Sequence, residues 1–348
     1  MENFTFNIHP SFQLNDLSLD KAELLLKSEE FTLSTIDNLK DLGFFLKQWF
    51  NQDSFIIVKT SGTTGKSKEI KIEKSAMINS ALATSAFFEI YENTIALCCL
   101  PVKYIAGKMM FVRAMVLGWK IDVVEPSASP LKDISKVYDF VAMVPLQVEN
   151  SINQLDKIKT LLIGGAPLNQ QLTTKLIEIN YNAYESYSMT ETVTHVALRK
   201  VGDKGFKVLP NVKIKTDNRD CLVIYAPQLI PEELKTNDIV DLISDTEFVW
   251  KGRFDNVVNS GGIKLFPEQI ESKLISKIQR RFFVAGIPDD VFNEKLVLFI
   301  EGGEFKLDPS IFEELDKYER PKQIFFVNKF LETETGKIKR KETIKCLK

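Results

Sequence analysis

Histidine is nearly missing from this chain of 348 residues, in which only His9 and His195 occur. That argues against a metal centre built from imidazoles, and a Ser-His-Asp triad would have to be assembled around His195. Cysteine is almost as scarce. Cys98, Cys99, Cys221 and Cys346 include one adjacent pair and no C-x-x-C spacing, which fits neither a disulfide framework nor a structural zinc site and points to a reducing, cytoplasmic setting. No stretch approaches the ~18 uninterrupted apolar residues of a membrane span, and Met1-Glu2-Asn3-Phe4 lacks the basic start of an export signal. Neither membrane insertion nor export is expected. An excess of one charge is lacking too: 45 Lys+Arg against 47 Asp+Glu leave a formal net charge of -2, so no general attraction to nucleic acid or anionic membrane follows. Any polyanion must be held locally.

What is present is ordinary globular material, 44% hydrophobic and 26% charged. At ~150 residues per domain the length predicts two domains, or a large one with an appendage. Phe55 to Val58 reads as a buried strand and Glu69-Ile70-Lys71-Ile72-Glu73 as a second, alternating one, with Ser75 expected as the N-cap of a helix through Ala81 and Phe87. Strands are expected at Ile95 to Leu100, Ile121 to Val124 and Thr160 to Ile163, with a helix at Phe111 to Leu117, the alternation of an α/β layer fold. From about Val208 to Val249 short alternating segments predict a small β subdomain. The polar, turn-prone Lys251-Gly252-Arg253-Phe254-Asp255 marks a domain boundary. Beyond it, helices at Pro267 to Lys277 and Ile311 to Tyr318 and strands at Phe282 to Ala285 and Leu296 to Ile300 predict a compact α+β module.

Between the first two strands lies Thr60-Ser61-Gly62-Thr63-Thr64-Gly65-Lys66-Ser67-Lys68. Glycines let backbone N–H groups converge on anionic oxygens and hydroxyls donate further bonds, so the loop suits phosphate. It is not a P-loop of the kinase or GTPase kind, because Thr60 stands where glycine is required and a strand, not a helix, follows. Taken alone it could also be an ordinary Gly/Thr turn. Three further segments occur downstream: Tyr187-Ser188-Met189-Thr190-Glu191, Gly252-Arg253-Phe254-Asp255 with Ser260-Gly261-Gly262, and Thr335-Gly336-Lys337. In order and spacing the four resemble the signature motifs of the adenylate-forming enzymes, the acyl-CoA synthetase superfamily, over about Phe55 to Lys345. Leu100 to Gly107, Met189 to Thr192 and Arg253 to Gly262 look most like the o-succinylbenzoate-CoA ligases of menaquinone biosynthesis, within that superfamily.

The resemblance implies a large N-terminal α/β domain with a small β subdomain, and a small, mobile C-terminal α+β domain. Their expected extents are residues 1–252 and 257–348, with a hinge at 253–256 and Asp255 at its centre. It also implies an AMP-forming acid-CoA ligase, whose partners are a small carboxylic acid, ATP and CoA, with Mg²⁺ as cofactor and a homodimer allowed. A carboxylate attacks the α-phosphate of ATP to give acyl-AMP, and the CoA thiol then displaces AMP. By the resemblance, Ser61, Gly62, Thr63, Thr64, Gly65 and Lys66 grip the β- and γ-phosphates. Thr190 bonds the α-phosphate and Glu191 holds Mg²⁺. Gly164, Gly165 and Ala166 line the adenine, Tyr187 covers its other face, and Asp238 and Arg253 hold the ribose. Lys337 is the catalytic lysine of adenylation, and Ser260, Gly261 and Gly262 form the loop on the CoA side. For the acyl pocket, the second carboxylate of o-succinylbenzoate needs a polar or cationic partner, for which Lys103, Tyr104, Thr194 and His195 are candidates. His195 reads equally well as an ordinary satisfied polar residue.

Several positions depart from the superfamily pattern. Ser67 replaces a proline of the phosphate loop, Ser188 a glycine before the Thr-Glu pair, Asn237 a glycine before Asp238, and Glu332 a proline upstream of Lys337. Only 59 residues precede Thr60, where superfamily members usually have well over a hundred, so a trimmed N-terminal subdomain is expected. Three alternatives remain open: a free-standing adenylation enzyme that loads a carrier-protein thiol, another aryl- or acyl-CoA ligase, and a non-catalytic nucleotide-binding protein on the same fold.

Overall fold

A computed structural model describes residues 6–59, 69–332 and 338–346. Its backbone is one sheet of thirteen strands, a second of five, and a two-stranded ribbon. In the large sheet, Lys120–Val123, Ile95–Cys98, Tyr138–Met143, Ile158–Ile163 and Ala183–Ser188 lie parallel in that spatial order. The central three, Ile95–Cys98, Tyr138–Met143 and Ile158–Ile163, are short, largely buried apolar runs, as parallel strands covered on both faces require. One face carries Trp49, Phe45, Met110, Phe111 and Trp119 in its core, and the other Leu131, Val148, Leu172 and Leu176.

Four helices frame the first face. α1 (Lys21–Thr32) opens on a capping box, with Asp20 Oδ1 accepting from Glu23 N and Glu23 Oε2 from Asp20 N, each at 2.9 Å. α2 (Asp37–Phe50) buries Leu42, Phe45, Leu46 and Trp49 on one stripe. α3 (Lys74–Phe88) starts one residue ahead of the expected Ser75 cap. The ribbon strand Glu69–Glu73 runs straight into it, and Glu73 serves as N-cap without a side-chain bond. Buried Lys74 pins this junction by donating to Asn51 O at 3.0 Å and Asn51 Oδ1 at 2.8 Å. α4 (Ile105–Leu117) begins six residues before the expected Phe111; Gly107 to Met110 are buried, and the ammonium of Lys108 is satisfied by Val102 O at 2.6 Å and Lys103 O at 3.1 Å.

The strands from Phe206 onward are present, yet they extend the large sheet without a break. His195–Lys200 pairs antiparallel with Ala183–Ser188, and Phe206–Val208, Glu247–Arg253, Leu234–Leu242, Cys221–Tyr225 and Lys213–Thr216 follow in space. A 3-10 turn at Phe254–Asn256 leaves this sheet, and the next strand, Val258–Ser260, belongs to the five-stranded one. The helix Pro267–Leu274 packs on the second sheet, whose core centres on Val258, Ile270, Leu274, Leu296 and Leu298. The helix expected over Ile311 to Tyr318 is absent. Only a 3-10 turn, Pro309–Phe312, forms there, since Pro309 and Pro321 bracket too short a run to propagate.

Candidate active site

The strand Ile158–Ile163 ends at Gly164 and Gly165, on the carboxyl side of the parallel sheet where open α/β folds bind ligands. Gly164 N donates to Met143 O at 3.1 Å, and a Cβ on it would lie 2.6 Å from Ser186 Oγ. Gly165 sits at φ +85°, in the left-handed region that favours glycine. Ala166 beside it is exposed.

One strand over, Tyr187 projects from Ala183–Ser188 and donates its hydroxyl to Asp238 Oδ2 at 2.7 Å. Trp250 Nε1 donates to Asp238 Oδ1 at 3.1 Å, and Arg253 Nη1 approaches the same oxygen at 3.7 Å. Asp238 is only 7% exposed and both its oxygens are engaged. Register explains the meeting, because Asp238 in Leu234–Leu242 stands opposite Arg253 in Glu247–Arg253. The Tyr187 ring packs edge-on to Phe248, centroids 5.1 Å apart, and burial together with the neighbouring Asp238 charge pushes its phenol pKa far up. Trp250 carries no motif signal and was not foreseeable from the sequence.

Past Ser188 the chain makes a 3-10 turn, Thr190–Thr192, and then a classic γ-turn at Val193, with φ +67° and ψ -59° and Thr194 N bonded to Thr192 O at 2.7 Å. A buried β-branched residue in that conformation costs ~1–3 kcal/mol. The reversal leaves Glu191 exposed and turns Thr194 and His195 inward.

There they meet a group absent from every motif. Arg113, on α4 and only 2% exposed, donates Nε to Thr84 Oγ1 at 3.3 Å and Nη2 to Thr194 Oγ1 at 3.4 Å, while Nη1 reaches only Met110 Sδ at 3.9 Å. No carboxylate among the described residues pairs with this cation, and burial alone lowers its pKa, to about 10. His195 bridges Thr84 Oγ1 at 3.2 Å and Thr194 Oγ1 at 2.9 Å, and burial, then the Arg113 charge, holds its pKa well below the usual value. It is neutral, so it cannot serve as the cationic partner. Lys103 and Tyr104 lie apart from this cluster, exposed at the start of α4 with the Lys103 ammonium 5.1 Å from the Tyr104 ring centroid.

Asp255 accepts from Asn237 Nδ2 and pairs with Arg253 Nη2, each at 3.3 Å. Ser260, Gly261 and Gly262 form the tip of a hairpin in the second sheet, Ser260 paired with Ile263 and both glycines at positive φ, +59° and +84°. No hydrogen bond among the described residues joins that tip to Tyr187, Asp238 or Glu191. Ser61, Gly62, Thr63, Thr64, Gly65, Lys66 and Lys337 lie outside the described residues. Glu332 and Ile338, on either side of the Lys337 segment, pair as an antiparallel bridge.

The family model described as AMP-binding enzyme matches residues 16–222. The chain belongs to the AMP-binding enzyme family. Among its members, the 2-succinylbenzoate–CoA ligase of Lactococcus lactis is 26% identical, the alignment covering 95% of this chain and 81% of that ligase. The ligase of the same description from Listeria monocytogenes is also 26% identical, over 85% of this chain and 70% of its own length. An acyl-CoA synthetase (AMP-forming)/AMP-acid ligase II-like protein from Dyadobacter fermentans superposes with a TM-score of 0.62 at 34% identity, covering 92% of this chain and 97% of that one. The o-succinylbenzoate–CoA synthetase of Bacillus subtilis, solved with ATP and magnesium, shares the fold with a TM-score of 0.72 at 19% identity, over 83% of this chain and 69% of its own.

The donor set suits a nucleotide-bound magnesium ion better than a resident metal. No group of three or more His, Cys, Asp or Glu among the described residues could hold a metal by itself. A hard cation would here take one carboxylate, the exposed Glu191, and complete its oxygen shell from phosphate and water. No helix among the described residues is long and apolar enough to cross a membrane.

Proposed function

We propose that this AMP-binding enzyme is an AMP-forming acid–CoA ligase whose acid is o-succinylbenzoate, giving o-succinylbenzoyl-CoA for menaquinone biosynthesis. The observation that carries the reading is Arg113. A buried guanidinium without an acid is costly, and a carboxylate arriving with the substrate satisfies it. Its end-on Nη1–Nη2 fork fits a carboxylate in two parallel bonds. A diacid with one carboxylate activated and the other fixed matches that demand, whereas a fatty acid has nothing to offer it. The relatives described as 2-succinylbenzoate–CoA ligases support the same substrate.

In this reading Gly164, Gly165 and Ala166 border the adenine and Tyr187 covers it. Asp238 and Arg253 bind the ribose, the tyrosine and Trp250 holding the carboxylate ready to accept hydroxyl bonds. Thr190 bonds the α-phosphate, and Ser61 to Lys66 bind the outer phosphates. Mg²⁺ held by Glu191 would neutralise charge on the phosphates as pyrophosphate leaves. Lys337 stabilises the approach of acid to α-phosphorus. Residues 257–348 then turn about the hinge 253–256 on residues 1–252, withdrawing Lys337 and bringing Ser260, Gly261 and Gly262 to the thiol's path. A cytoplasmic location goes with a reaction that consumes ATP and CoA.

ATP–pyrophosphate exchange with a panel of acids tests this. o-Succinylbenzoate is expected to exceed 4-oxo-4-phenylbutanoate, which lacks only the ring carboxylate, as well as benzoate, acetate and long-chain fatty acids. Replacing the guanidinium in Arg113→Met is expected to cost one to two orders of magnitude in kcat/KM for the diacid, the value of a charge-assisted pair at ~1.5–3 kcal/mol. Equal or better use of a fatty acid overturns the substrate assignment.

A further inference from the structure

The cluster around Arg113 contains a second layer whose proton count can be closed. Thr84 Oγ1 has one proton and gives it to Ser80 O, 2.9 Å away on the preceding turn of α3. It must therefore accept from both of its other neighbours, Arg113 Nε and His195 Nε2. His195 then carries its proton on Nε2, and Nδ1 is an acceptor for the Thr194 hydroxyl. With its proton spent there, Thr194 Oγ1 accepts from Arg113 Nη2 and from the His195 backbone N–H. Every polar atom of the two threonines and the imidazole is used within the cluster. What finds no oxygen acceptor among the described residues is Nη1, which reaches only Met110 Sδ, and the second proton of Nη2. The Ser80 hydroxyl, one turn before Thr84 on the same face of α3, is also buried and has no partner among the described residues.

We infer that Thr84, His195 and Thr194 are a clamp that fixes the plane of the Arg113 guanidinium, so that Thr84 and His195 act as positioning residues for specificity and do not touch the substrate's ring carboxylate themselves. The inference rests on the diacid reading above and assigns the discrimination to geometry as well as charge. A guanidinium gains from bidentate pairing only when its plane contains the carboxylate. Two bonds from different nitrogens, Nε to α3 and Nη2 to the turn after Glu191, set that plane. The neutral Nε2–H imidazole keeps the two accepting hydroxyls apart and correctly oriented. Because Thr194 follows the strained Val193 turn that carries Glu191, the acid-binding end and the phosphate-facing end of the site share one short segment.

The readout is the ratio of kcat/KM for o-succinylbenzoate to that for 4-oxo-4-phenylbutanoate, measured by pyrophosphate exchange on the full-length enzyme. Thr84→Val, which keeps the shape and removes the hydroxyl, is expected to lower the ratio about tenfold through the KM of the diacid, the size of one lost hydrogen bond to a charged group. Thr84→Ser, which restores the hydroxyl, should restore the ratio. Should Thr84→Val fail to fold, Thr84→Cys keeps the volume with a poor acceptor and carries the same readout. A ratio unchanged by loss of the hydroxyl, or an equal loss on both acids, overturns the clamp. If Arg113→Met abolishes the ratio while Thr84→Val leaves it, the clamp fails and the diacid reading stands. If the wild type does not prefer the diacid and Arg113→Met changes nothing, the diacid reading fails and the clamp falls with it.

Discussion

Asp238 and Arg113 solve opposite problems. The carboxylate of Asp238 is held by Tyr187 and Trp250 in the structure without ligand, so its orientation is fixed in advance. The guanidinium of Arg113 is held at one side and has no acid among the described residues at the other, which is what the proposed diacid would supply. His195 ties its neighbours together only while neutral, and this gives a pH prediction. The unfolded chain binds a proton on this ring below its ordinary pKa of 6.5, whereas the folded chain, with the pKa held well below that value, does not. Stability from this residue is therefore present above pH 6.5 and lost as the pH falls, by up to ~1.4 kcal/mol per pH unit. Denaturant unfolding of wild type and His195→Gln between pH 7 and 5 should show the smaller slope in the variant. Identical slopes would exclude a buried neutral imidazole.

At the scale of elements, the site is made where strands stop. Ile158–Ile163 ends in the Gly164-Gly165 turn and Ala183–Ser188 in the Thr190–Thr192 turn, side by side because the two strands are parallel neighbours. The strained Val193 is the element that divides an exposed Glu191 from a buried Thr194, and the energy of strain is offset by the packing that fixes it. The hairpin at Gly261-Gly262 is another stop, a two-residue turn with both φ values positive. Gly262 has open space around its Cβ direction, with no atom of the described residues within 4 Å, so Gly262→Leu costs backbone strain of ~1–2 kcal/mol and no clash with them. In that variant adenylation, followed by pyrophosphate exchange, should persist while thioester formation from supplied acyl-adenylate slows. Equal slowing of both steps would remove this hairpin from the CoA side.

Over the whole molecule, two sets of cores face different sheets. Trp49, Phe111, Phe140 and Phe248 belong to the cluster on the thirteen-stranded sheet, whereas Ile270, Leu274, Leu298 and Ile300 belong to the five-stranded one. What joins them is mostly polar: Asn256 Nδ2 to Glu268 Oε1 at 2.5 Å, Lys264 to Asp220 at 3.7 Å, and the Lys251 ammonium 5.8 Å from the Phe266 ring centroid. Such an interface transmits little cooperativity. Scanning calorimetry should resolve two transitions, the smaller one shifted independently by core substitutions such as Leu298→Ala. A single transition with equal calorimetric and van't Hoff enthalpies would show the two cores to be one cooperative unit.

The motifs around Tyr187 and Glu191, the Gly164-Gly165 turn and the paired glycines at 261 and 262 were legible in the linear order because each needs a residue type whose chemistry or backbone freedom is special. The alternating strands were legible for the same local reason. By itself the sequence determined the family and the α/β layering. It could not reveal Arg113, an arginine inside an apolar helix pattern at Met109-Met110-Phe111-Val112, since only packing against α3 and the turn at Val193 shows that the charge has no acid among the described residues. Nor could it rank His195 against Lys103, because only the fold shows that His195 is buried and held neutral while Lys103 is exposed. The continuity of the sheet past Phe206 likewise depended on strand pairing between distant segments. Local chemistry repeats with short periods along a chain, whereas burial, pairing and counter-charge are set by residues far apart in sequence, and those only the tertiary structure decided.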